Sequence, residues 1–182
     1  MTRPLQRRQF LRRGFQMAVG GATLGQLPAQ AREPDARRLA FDHTHTGEHL
    51  SLVYAVGNQY LPDALNVLNH FLRDHYSGDV GLIDPRLFDQ LHILQHSLGS
   101  QQAYQVISGY RAPATNAHLR ASRAGGVAQN SLHMRGQAID VRLGDVALGD
   151  LRQAALDLKA GGVGYYPNEQ FIHLDTGHVR HW

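Results

Sequence analysis

The sequence predicts a small α+β domain, in which an antiparallel sheet is flanked by helices and one face of the sheet carries a cleft. Apolar residues recur at helical spacing mainly in the first half of the chain, whereas short alternating runs follow mainly in the second half. This segregation favours α+β over a regular alternation of parallel strands and helices. The roughly 150 residues that follow residue 31 are enough for one domain with its own core.

The elements can be placed in chain order from these periodicities. Helices are predicted where leucines recur every third or fourth residue, and Asp84-Pro85 is typical of a helix start, as Gly99 is of a helix end. Residues 32–38 are polar and are predicted to be a loose lead-in. The full prediction is strands over 50–56, 104–108, 137–143 and 170–176, with helices over 61–75, 85–98, 114–124 and 148–160.

The last two predicted strands each combine an apolar side with a side that carries a polar residue. Because side chains alternate along a strand, Asp140 points away from its apolar neighbours, and His173 does the same in the last strand. If the two strands pair in the right register, Asp140 and His173 face the same cleft. Gly136 would let the loop that carries His133 bend back toward them.

His133, Asp140 and His173 are two histidines and one carboxylate, a set that suits zinc. Catalytic zinc sites usually take three protein ligands and leave a fourth position for water. The metal acidifies that water, which can then attack an amide. Magnesium and calcium prefer all-oxygen shells, and the absence of cysteine excludes thiolate ligands and disulfides. The sequence predicts one Zn²⁺ per chain and an amide-hydrolysing function.

The first 31 residues have the organisation of a twin-arginine export signal. Arg7-Arg8 opens the motif, a mildly apolar stretch follows over 14–27, and Ala29-Gln30-Ala31 fits a signal-peptidase site. The apolar stretch is too short and too rich in glycine to span a bilayer stably. We therefore expect a periplasmic protein with no stable membrane span after processing. The alternative, a basic tail for nucleic acid, does not explain this ordered arrangement.

The basic character of the chain belongs largely to that signal. Residues 1–31 hold five arginines and no acidic residue, which leaves 13 of the 18 basic and all 15 acidic residues in the domain over 32–182. The domain has a net charge of −2 with its histidines neutral. Nucleic-acid binding needs a basic face, so no nucleic-acid partner is predicted.

Three blocks of the sequence together resemble one family. They are Ser108-Gly109-Tyr110-Arg111, Ser131-x-His133-x-x-Gly136-x-Ala138-x-Asp140, and Gly164-Tyr165-Tyr166-Pro167 followed by Phe171-Ile172-His173-Leu174-Asp175-Thr176-Gly177. In this order they resemble the murein endopeptidase K proteins, relatives of the zinc D-Ala-D-Ala peptidases, which share a metal site with lysostaphin-type enzymes and the hedgehog signalling domain. The likeness covers about residues 39–182. It implies a hedgehog-like fold with a zinc cleft, and a periplasmic zinc peptidase that cleaves cross-links between peptidoglycan stem peptides.

The resemblance leaves the identity of the catalytic base open. Related peptidases commonly place an acidic residue three positions before the last ligand histidine, but here that residue is Gln170, which cannot accept a proton. Asp175, on the same strand face as His173, is the first candidate; its alternative role is to orient that histidine through a hydrogen bond. Glu169 is a candidate from the loop. His178 is a candidate acid for the leaving amine, or a solvated residue.

Four further residues are predicted to contact substrate or to line the cleft. Arg111 could hold a carboxylate or stabilise the oxyanion, with a structural salt bridge as its alternative. Ser131 is expected either to hydrogen-bond the peptide or to shape its loop. Tyr165 and Tyr166 are expected to line the cleft wall, although packing in the core explains at least one of them equally well.

Two other functions remain open on the sequence alone. One is a D,D- or L,D-carboxypeptidase built on the same metal site. The other is an inactive, zinc-containing module that binds peptidoglycan or scaffolds a complex, which Gln170 keeps possible. A second metal site at the histidine-rich segment over 43–49 is a weaker hypothesis than an exposed strand edge. The sequence indicates neither the oligomeric state nor which cross-link is cut.

Overall fold

The computed structural model describes residues 35–122 and 127–182. The predicted export signal and the predicted end of the third helix, residues 123–126, lie outside these ranges. The strands are β1 (Ala36–His43), β2 (His49–Val56), β3 (Gln59–Tyr60), β4 (Tyr104–Ser108), β5 (Ala138–Leu143), β6 (Gly162–Tyr166), β7 (Phe171–Asp175) and β8 (Arg180–His181). The helices are α1 (Pro62–Phe71), α2 (Arg86–Ser97), α3 (Pro113–Ser122) and α4 (Leu148–Leu158), with a 3₁₀ helix at Leu132–Arg135. Within the described ranges, no helix combines the length and apolarity that crossing a bilayer requires.

All eight strands form one open sheet in the order β3-β2-β1-β4-β5-β7-β6-β8. Five neighbouring pairs are antiparallel, whereas β1 with β4 and β6 with β8 are parallel. The α+β class is confirmed, but the sheet is larger than predicted and mixed rather than purely antiparallel.

The first strand accounts for part of this difference. Leu39 and Phe41 are each 1% exposed and alternate with less buried residues, so β1 is an amphipathic strand, and it includes residues 36–38 of the predicted lead-in. The two arginines make this segment look like a polar loop in the sequence. In the structure the side chain of Arg37 is half-buried, because it forms an ion pair with Asp89 of α2. Burying the apolar side of β1 stabilises the sheet by roughly 2 kcal/mol per large side chain.

The hydrophobic core lies between one face of the sheet and the helices α1, α2 and α4. Ile139 and Val141 of β5 point into this core and are fully buried, together with Leu91 of α2 and Leu151 of α4. Asp140 lies between the two core residues of β5 and therefore points to the opposite face. The sheet thus separates a helix-covered apolar side from the side that carries the site.

The helix ends differ from the prediction where side chains compete for backbone groups. The first helix was predicted to continue to residue 75, but it ends at Phe71. Asp74 ends it, because its Oδ1 accepts a hydrogen bond from the backbone N–H of Tyr76 at 2.9 Å and forms a tight turn. The second helix ends as predicted before Gly99, whose φ of +65° only glycine adopts without cost.

Candidate metal centre

Strands β5 and β7 bring Asp140 and His173 directly opposite one another. The two residues are partners in the antiparallel register, as the alternation pattern predicted. Asp140 Oδ1 lies 2.9 Å from His173 Nδ1. Both side chains are buried, so this carboxylate and imidazole face each other with little water between them.

The 3₁₀ helix supplies the third residue of this group, His133. Gly136 ends that helix with a φ of +64°, and its backbone N–H donates to the carbonyl of His133 at 3.2 Å. The turn places His133 Nε2 3.3 Å from Asp140 Oδ1 and 3.2 Å from His173 Nδ1. The loop therefore bends back onto β5, as the sequence predicted.

Replacing Gly136 by alanine is expected to destabilise the domain by at least about 2 kcal/mol. The residue needs a left-handed backbone, and a Cβ at this position would overlap the carbonyl oxygen of Leu82. Gly149 is the matched control: its φ is not positive, and nothing lies within 4 Å of a Cβ placed on it. Thermal unfolding of Gly136→Ala and Gly149→Ala measures the difference. Equal melting temperatures would show that the loop tolerates a side chain.

Hydrogen bonds on the outer side of each imidazole fix which nitrogen carries the proton. His133 Nδ1 lies 2.7 Å from the carbonyl oxygen of Gly109, which can only accept, so Nδ1 donates and Nε2 keeps a lone pair. His173 Nε2 lies 3.2 Å from Asp175 Oδ2 and donates in the same way, which leaves the lone pair of Nδ1 free. Two nitrogen lone pairs and the carboxylate of Asp140 therefore converge on one point.

This donor set fits a divalent metal ion. The three donor atoms lie within 4.8 Å of one another, and each residue is less than 9% exposed. Two imidazoles and one carboxylate are a common catalytic zinc set, and the orienting contacts from Gly109 and Asp175 are the kind that zinc ligands use. In the described parts of the chain, no other set of three such residues converges in this way.

The charges of the site are strongly coupled. Burial lowers the pKa of His133. Burial also acts to lower the pKa of His173, but hydrogen bonds to Asp140 and Asp175 outweigh it and raise that pKa to about 9. Burial opposes ionisation of Asp140, yet the charge and hydrogen bonds of the two imidazoles hold its pKa far below the usual range. Asp140 therefore stays ionised, as a metal ligand must be, and a bound metal ion would displace the proton that the raised pKa places on His173.

A cleft of about 250 Å³ opens over these three residues. One wall is aromatic: Tyr166 and Phe171 stack with ring centroids 4.6 Å apart, and Trp182 Nε1 donates to Tyr166 Oη at 2.8 Å. The indole of Trp182 lies 5.3 Å from the ring of His173. A larger hollow of about 500 Å³ lies beside α1, but it contains none of the three donor residues. The smaller cleft is therefore the candidate site.

Arg111 lies in this cleft, beside the carboxylate of Asp140. Its guanidinium is 3.8 Å from Asp140 Oδ2, and its hydrogen bonds to Ser108 and Asn116 are long, at 3.4 Å each. Its backbone N–H donates to the carbonyl of His133 at 3.2 Å. A guanidinium held this loosely at the cleft wall has donors left for a substrate carboxylate or oxyanion.

The other predicted substrate contacts are divided between the two faces of the sheet. Ser131 lines the cleft and is buried, and its side chain does not cap the 3₁₀ helix. Tyr166 lines the cleft as well. Tyr165 points to the opposite face, where it packs on the core and lies 5.1 Å from the guanidinium of Arg152. Of the two tyrosines, the structure brings only Tyr166 to the metal centre.

Asp175 lies behind His173, on the side away from the converging lone pairs. It is fully buried, and its Oδ1 accepts hydrogen bonds from the backbone N–H groups of Gly162 at 2.9 Å and Gly177 at 2.8 Å. Its Oδ2 is 2.7 Å from a nitrogen of Arg180. Burial opposes ionisation, but the hydrogen bonds to His173 and Arg180 hold the pKa of Asp175 well below its usual range. This geometry favours the orienting role for Asp175.

The remaining acid–base candidates lie near the surface. Glu169 is exposed and lines the cleft. Gln170 is exposed, and its side-chain amide donates to the carbonyl of Pro167. His178 is exposed, and its carbonyl accepts a hydrogen bond from Arg180 at 3.0 Å. Among the residues described around the cleft, Glu169 is thus the carboxylate besides Asp140 that faces the open space.

The histidine-rich segment does not form a second metal site in the described structure. His43 is 2% exposed, and its Nδ1 accepts the backbone N–H of His45 at 3.2 Å. Glu48 pairs instead with Arg73 at 2.9 Å, and His49 pairs with Asp42. Sequence reasoning placed this segment at a strand edge, and it forms the β1–β2 turn.

The buried state of His43 predicts a pH-dependent stability. Burial, then the neighbouring His75 and His45, lower the pKa of His43 to about 4. As the pH falls below about 6.5, His43 becomes protonated in the unfolded chain but stays neutral in the folded chain. The free energy of unfolding therefore decreases between pH 6.5 and 4, by at most about 3 kcal/mol. We expect metal-free His43→Gln to show a shallower loss across this range in denaturant titrations. His96→Asn, an exposed control, should lose stability with falling pH as steeply as the parent does. An equally steep loss in His43→Gln would show that His43 does not cause the pH dependence.

Among the cleft residues that the sequence analysis did not single out, two are aromatic. Phe171 shares a strand face with His173, so the alternation of β7 already indicated its position. Trp182 gave no such signal, because it reaches the cleft only through the two-residue strand β8 beside β6. Pairing of such short strands is decided by tertiary packing and leaves no local period in the sequence.

A mixed sheet with helices on one face, and a buried His–Asp–His set under an open cleft on the other, fits the class of mononuclear metallohydrolases. The chain belongs to peptidase family M15, a family of zinc metallopeptidases: residues 31–182 match the model described as peptidoglycan L,D-endopeptidase MepK. The resemblance drawn from the three sequence blocks is confirmed.

Similar proteins cover nearly the whole chain. The peptidoglycan L,D-endopeptidase MepK of Escherichia coli K12 is 46% identical over 172 residues, which are 91% of this chain and 94% of that protein. The protein of the same name from Shigella flexneri has the same identity and coverage. The probable peptidoglycan L,D-endopeptidase MepK of Haemophilus influenzae is 39% identical over 173 residues, 91% of this chain and 92% of that protein.

Proposed function

We propose that this chain is a zinc-dependent endopeptidase that hydrolyses the peptide cross-links of peptidoglycan. The observation that carries the proposal is the convergence of His133, Asp140 and His173 beneath a cleft with an arginine on one side and aromatic rings on the other. Membership of the MepK family supports the substrate class. The chain would hold one zinc ion through these three residues.

The names of the relatives indicate which type of cross-link bond is cut. They are L,D-endopeptidases. In a diaminopimelate–diaminopimelate cross-link, the carbonyl of an L centre is joined to the amine of a D centre, whereas a D-Ala–diaminopimelate cross-link joins two D centres. We propose that this chain cleaves the first of these bonds. Product masses from defined muropeptide dimers test this choice, and release of single terminal residues would indicate a carboxypeptidase instead.

The mechanism follows from the positions of the side chains. Zinc, when bound, would polarise the scissile carbonyl and acidify a water molecule. Arg111 would hold a substrate carboxylate or the developing oxyanion from the cleft wall. Asp175 would keep His173 in the tautomer that leaves Nδ1 free, and Arg180 would keep Asp175 ionised.

The proton released from the attacking water needs an acceptor on the open side of the site. We assign this role to Glu169, which faces the cleft, rather than to Asp175, whose oxygens are occupied by other donors. Ser131 and Tyr166 would contact the peptide. His178 stays a candidate for protonating the leaving amine; it is exposed and is not among the residues that line the cleft.

Glu169→Gln is expected to lower kcat by about a hundredfold or more and to remove the acidic limb of the pH–rate profile, because the variant lacks the proton acceptor. Zinc content should not change, since Glu169 is not one of the converging donors. Asp175→Asn is the comparison: it should keep the acidic limb and lose zinc affinity. If the pH–rate profile of Glu169→Gln kept its acidic limb, Glu169 would not be the catalytic base.

An inactive peptidoglycan-binding module remains the rival from another class, and Gln170 is the feature that favours it. Pull-down by sacculi without release of any product, from a protein that contains stoichiometric zinc, would support that rival. Digestion of cross-linked muropeptides into monomers would exclude it.

We further propose that residues 1–31 are a twin-arginine signal and that 32–182 form a periplasmic peptidase domain. The order of the arginine pair, apolar stretch and cleavage motif supports this, as does a substrate that lies in the periplasm. A reporter that is active only when exported folded tests it. Replacement of Arg7 and Arg8 by lysine should stop export, and unchanged export would contradict the signal.

A further inference from the structure

We propose that a column of three neighbouring rings, the stacked pair His45 and His75 and the tilted ring of Tyr76, is a subsite for the glycan strand of peptidoglycan. This inference rests on the proposed function, because it names the part of the same substrate that lies outside the peptide cleft. The three residues are called the ring column below.

The rings of the column lie in contact with one another, and the column is open to solvent. The rings of His45 and His75 stack with centroids 4.2 Å apart and an angle of 2° between their planes. The ring of Tyr76 lies 4.3 Å from that of His75. His45 is exposed, and Tyr76 is 59% exposed. The outer rings of the column therefore present apolar surface to water.

The column has a firm base. His43 is buried beneath it, and its ring meets His75 edge-on at 5.7 Å and His45 edge-on at 6.2 Å. On its other side His43 meets Phe71, a residue of the core, at 5.8 Å. A surface held in place in this way loses little conformational entropy when a ligand binds to it.

Asp74 joins the column to the metal centre. It is 1% exposed; its Oδ1 holds the turn that carries Tyr76, and its Oδ2 accepts the backbone N–H of Ala112 at 2.8 Å. Ala112 follows Arg111, which lies 3.8 Å from the metal-site residue Asp140. Asp74 therefore ties the turn that carries Tyr76 to the backbone beside Arg111.

The chemistry of the column matches a sugar better than a metal or a peptide carboxylate. Parallel imidazoles cannot direct their lone pairs at one ion, and these histidines do not belong to a converging donor set among the described residues. The apolar C–H face of a pyranose packs on an aromatic face, while its hydroxyl and N-acetyl groups stay in water. Peptidoglycan carries its stem peptides on such sugars, so a peptide in the cleft brings a glycan strand close to the protein surface.

Two measurements on the full-length chain test the subsite. The first is titration with tetra-N-acetylchitotetraose, a peptide-free probe of the glycan, followed by NMR. The second compares kcat/KM on intact sacculi with kcat/KM on sugar-free cross-linked peptides. The variants are His45→Ala and Tyr76→Ala, with Ile93→Ala of α2 as a control that also removes an exposed apolar side chain.

We expect both ring variants to bind the tetrasaccharide about tenfold more weakly than the parent and to lose about tenfold in kcat/KM on sacculi alone. The Ile93 variant should match the parent in both measurements. Absence of binding by the parent, unchanged binding by the ring variants, or an equal loss on both substrates would overturn the subsite. If the parent cleaves neither substrate but the ring variants lose sugar binding, the proposed function fails and the subsite stands.

Discussion

Replacement of His133 by alanine is expected to abolish zinc binding and to lower kcat/KM for cross-linked muropeptides by at least about a thousandfold. The variant removes one of the three donors that converge on the site, and the two that remain cannot enclose the ion. Metal analysis and product formation from purified dimers measure the two effects on the same sample.

The control for this variant is a histidine that takes no part in the site. His96 of α2 is exposed, and His96→Ala should keep both zinc and activity. His133 is buried, so circular dichroism must show that His133→Ala is folded. A folded His133→Ala with stoichiometric zinc and parental activity would show that the ion, or the reaction, lies elsewhere.

Asp175→Ala is expected to weaken zinc binding by about ten- to a hundredfold, although Asp175 does not reach the ion position. His173 would lose the acceptor that fixes its tautomer, so its Nδ1 would no longer be reserved for the metal. The same change should destabilise the domain by roughly 3 kcal/mol, because it leaves Arg180 and the N–H of Gly162 without their buried partner.

Chelator competition at fixed pH gives the zinc affinity of this variant, and denaturant titration gives its stability. Asp157→Ala removes an exposed carboxylate of α4 and should change neither quantity. If Asp175→Ala bound zinc as tightly as the parent, the orienting role would be excluded. Asp175 would then contribute only to the stability of the domain.

The positions of Asp140 and His173 were predictable because both residues lie in locally regular strands. The alternation of β5 separates Asp140 from Ile139 and Val141, and the same alternation in β7 exposes His173 to the same face. One register places both residues opposite each other, and it is also the register that buries the apolar side of each strand. Local pattern and tertiary structure therefore agree at this point.

Where the prediction differed, the deciding contact was distant in sequence. Tyr165 and Tyr166 are neighbours, and only the pairing of β6 with β7 determines that Tyr166 faces the cleft. The surroundings of Asp175 are set by Gly162 and Arg180, which belong to two other strands. No local period reports such contacts, so its two possible roles could not be separated from the sequence.

The first strand shows the same limit on a larger scale. Its large apolar residues, Leu39 and Phe41, are too few to signal a strand beside four polar residues. Pairing with β2 on one side and β4 on the other decides its structure. This strand also holds His43 in place, and thereby the base of the ring column.

The most direct test of the central claim is digestion of purified diaminopimelate–diaminopimelate muropeptide dimers, read by mass spectrometry, with and without chelator. The zinc-loaded chain should convert dimers into monomers, and conversion should stop with chelator and return when zinc is restored. His133→Ala should remain inactive throughout. Intact dimers after incubation with a folded protein that contains stoichiometric zinc would contradict the endopeptidase function.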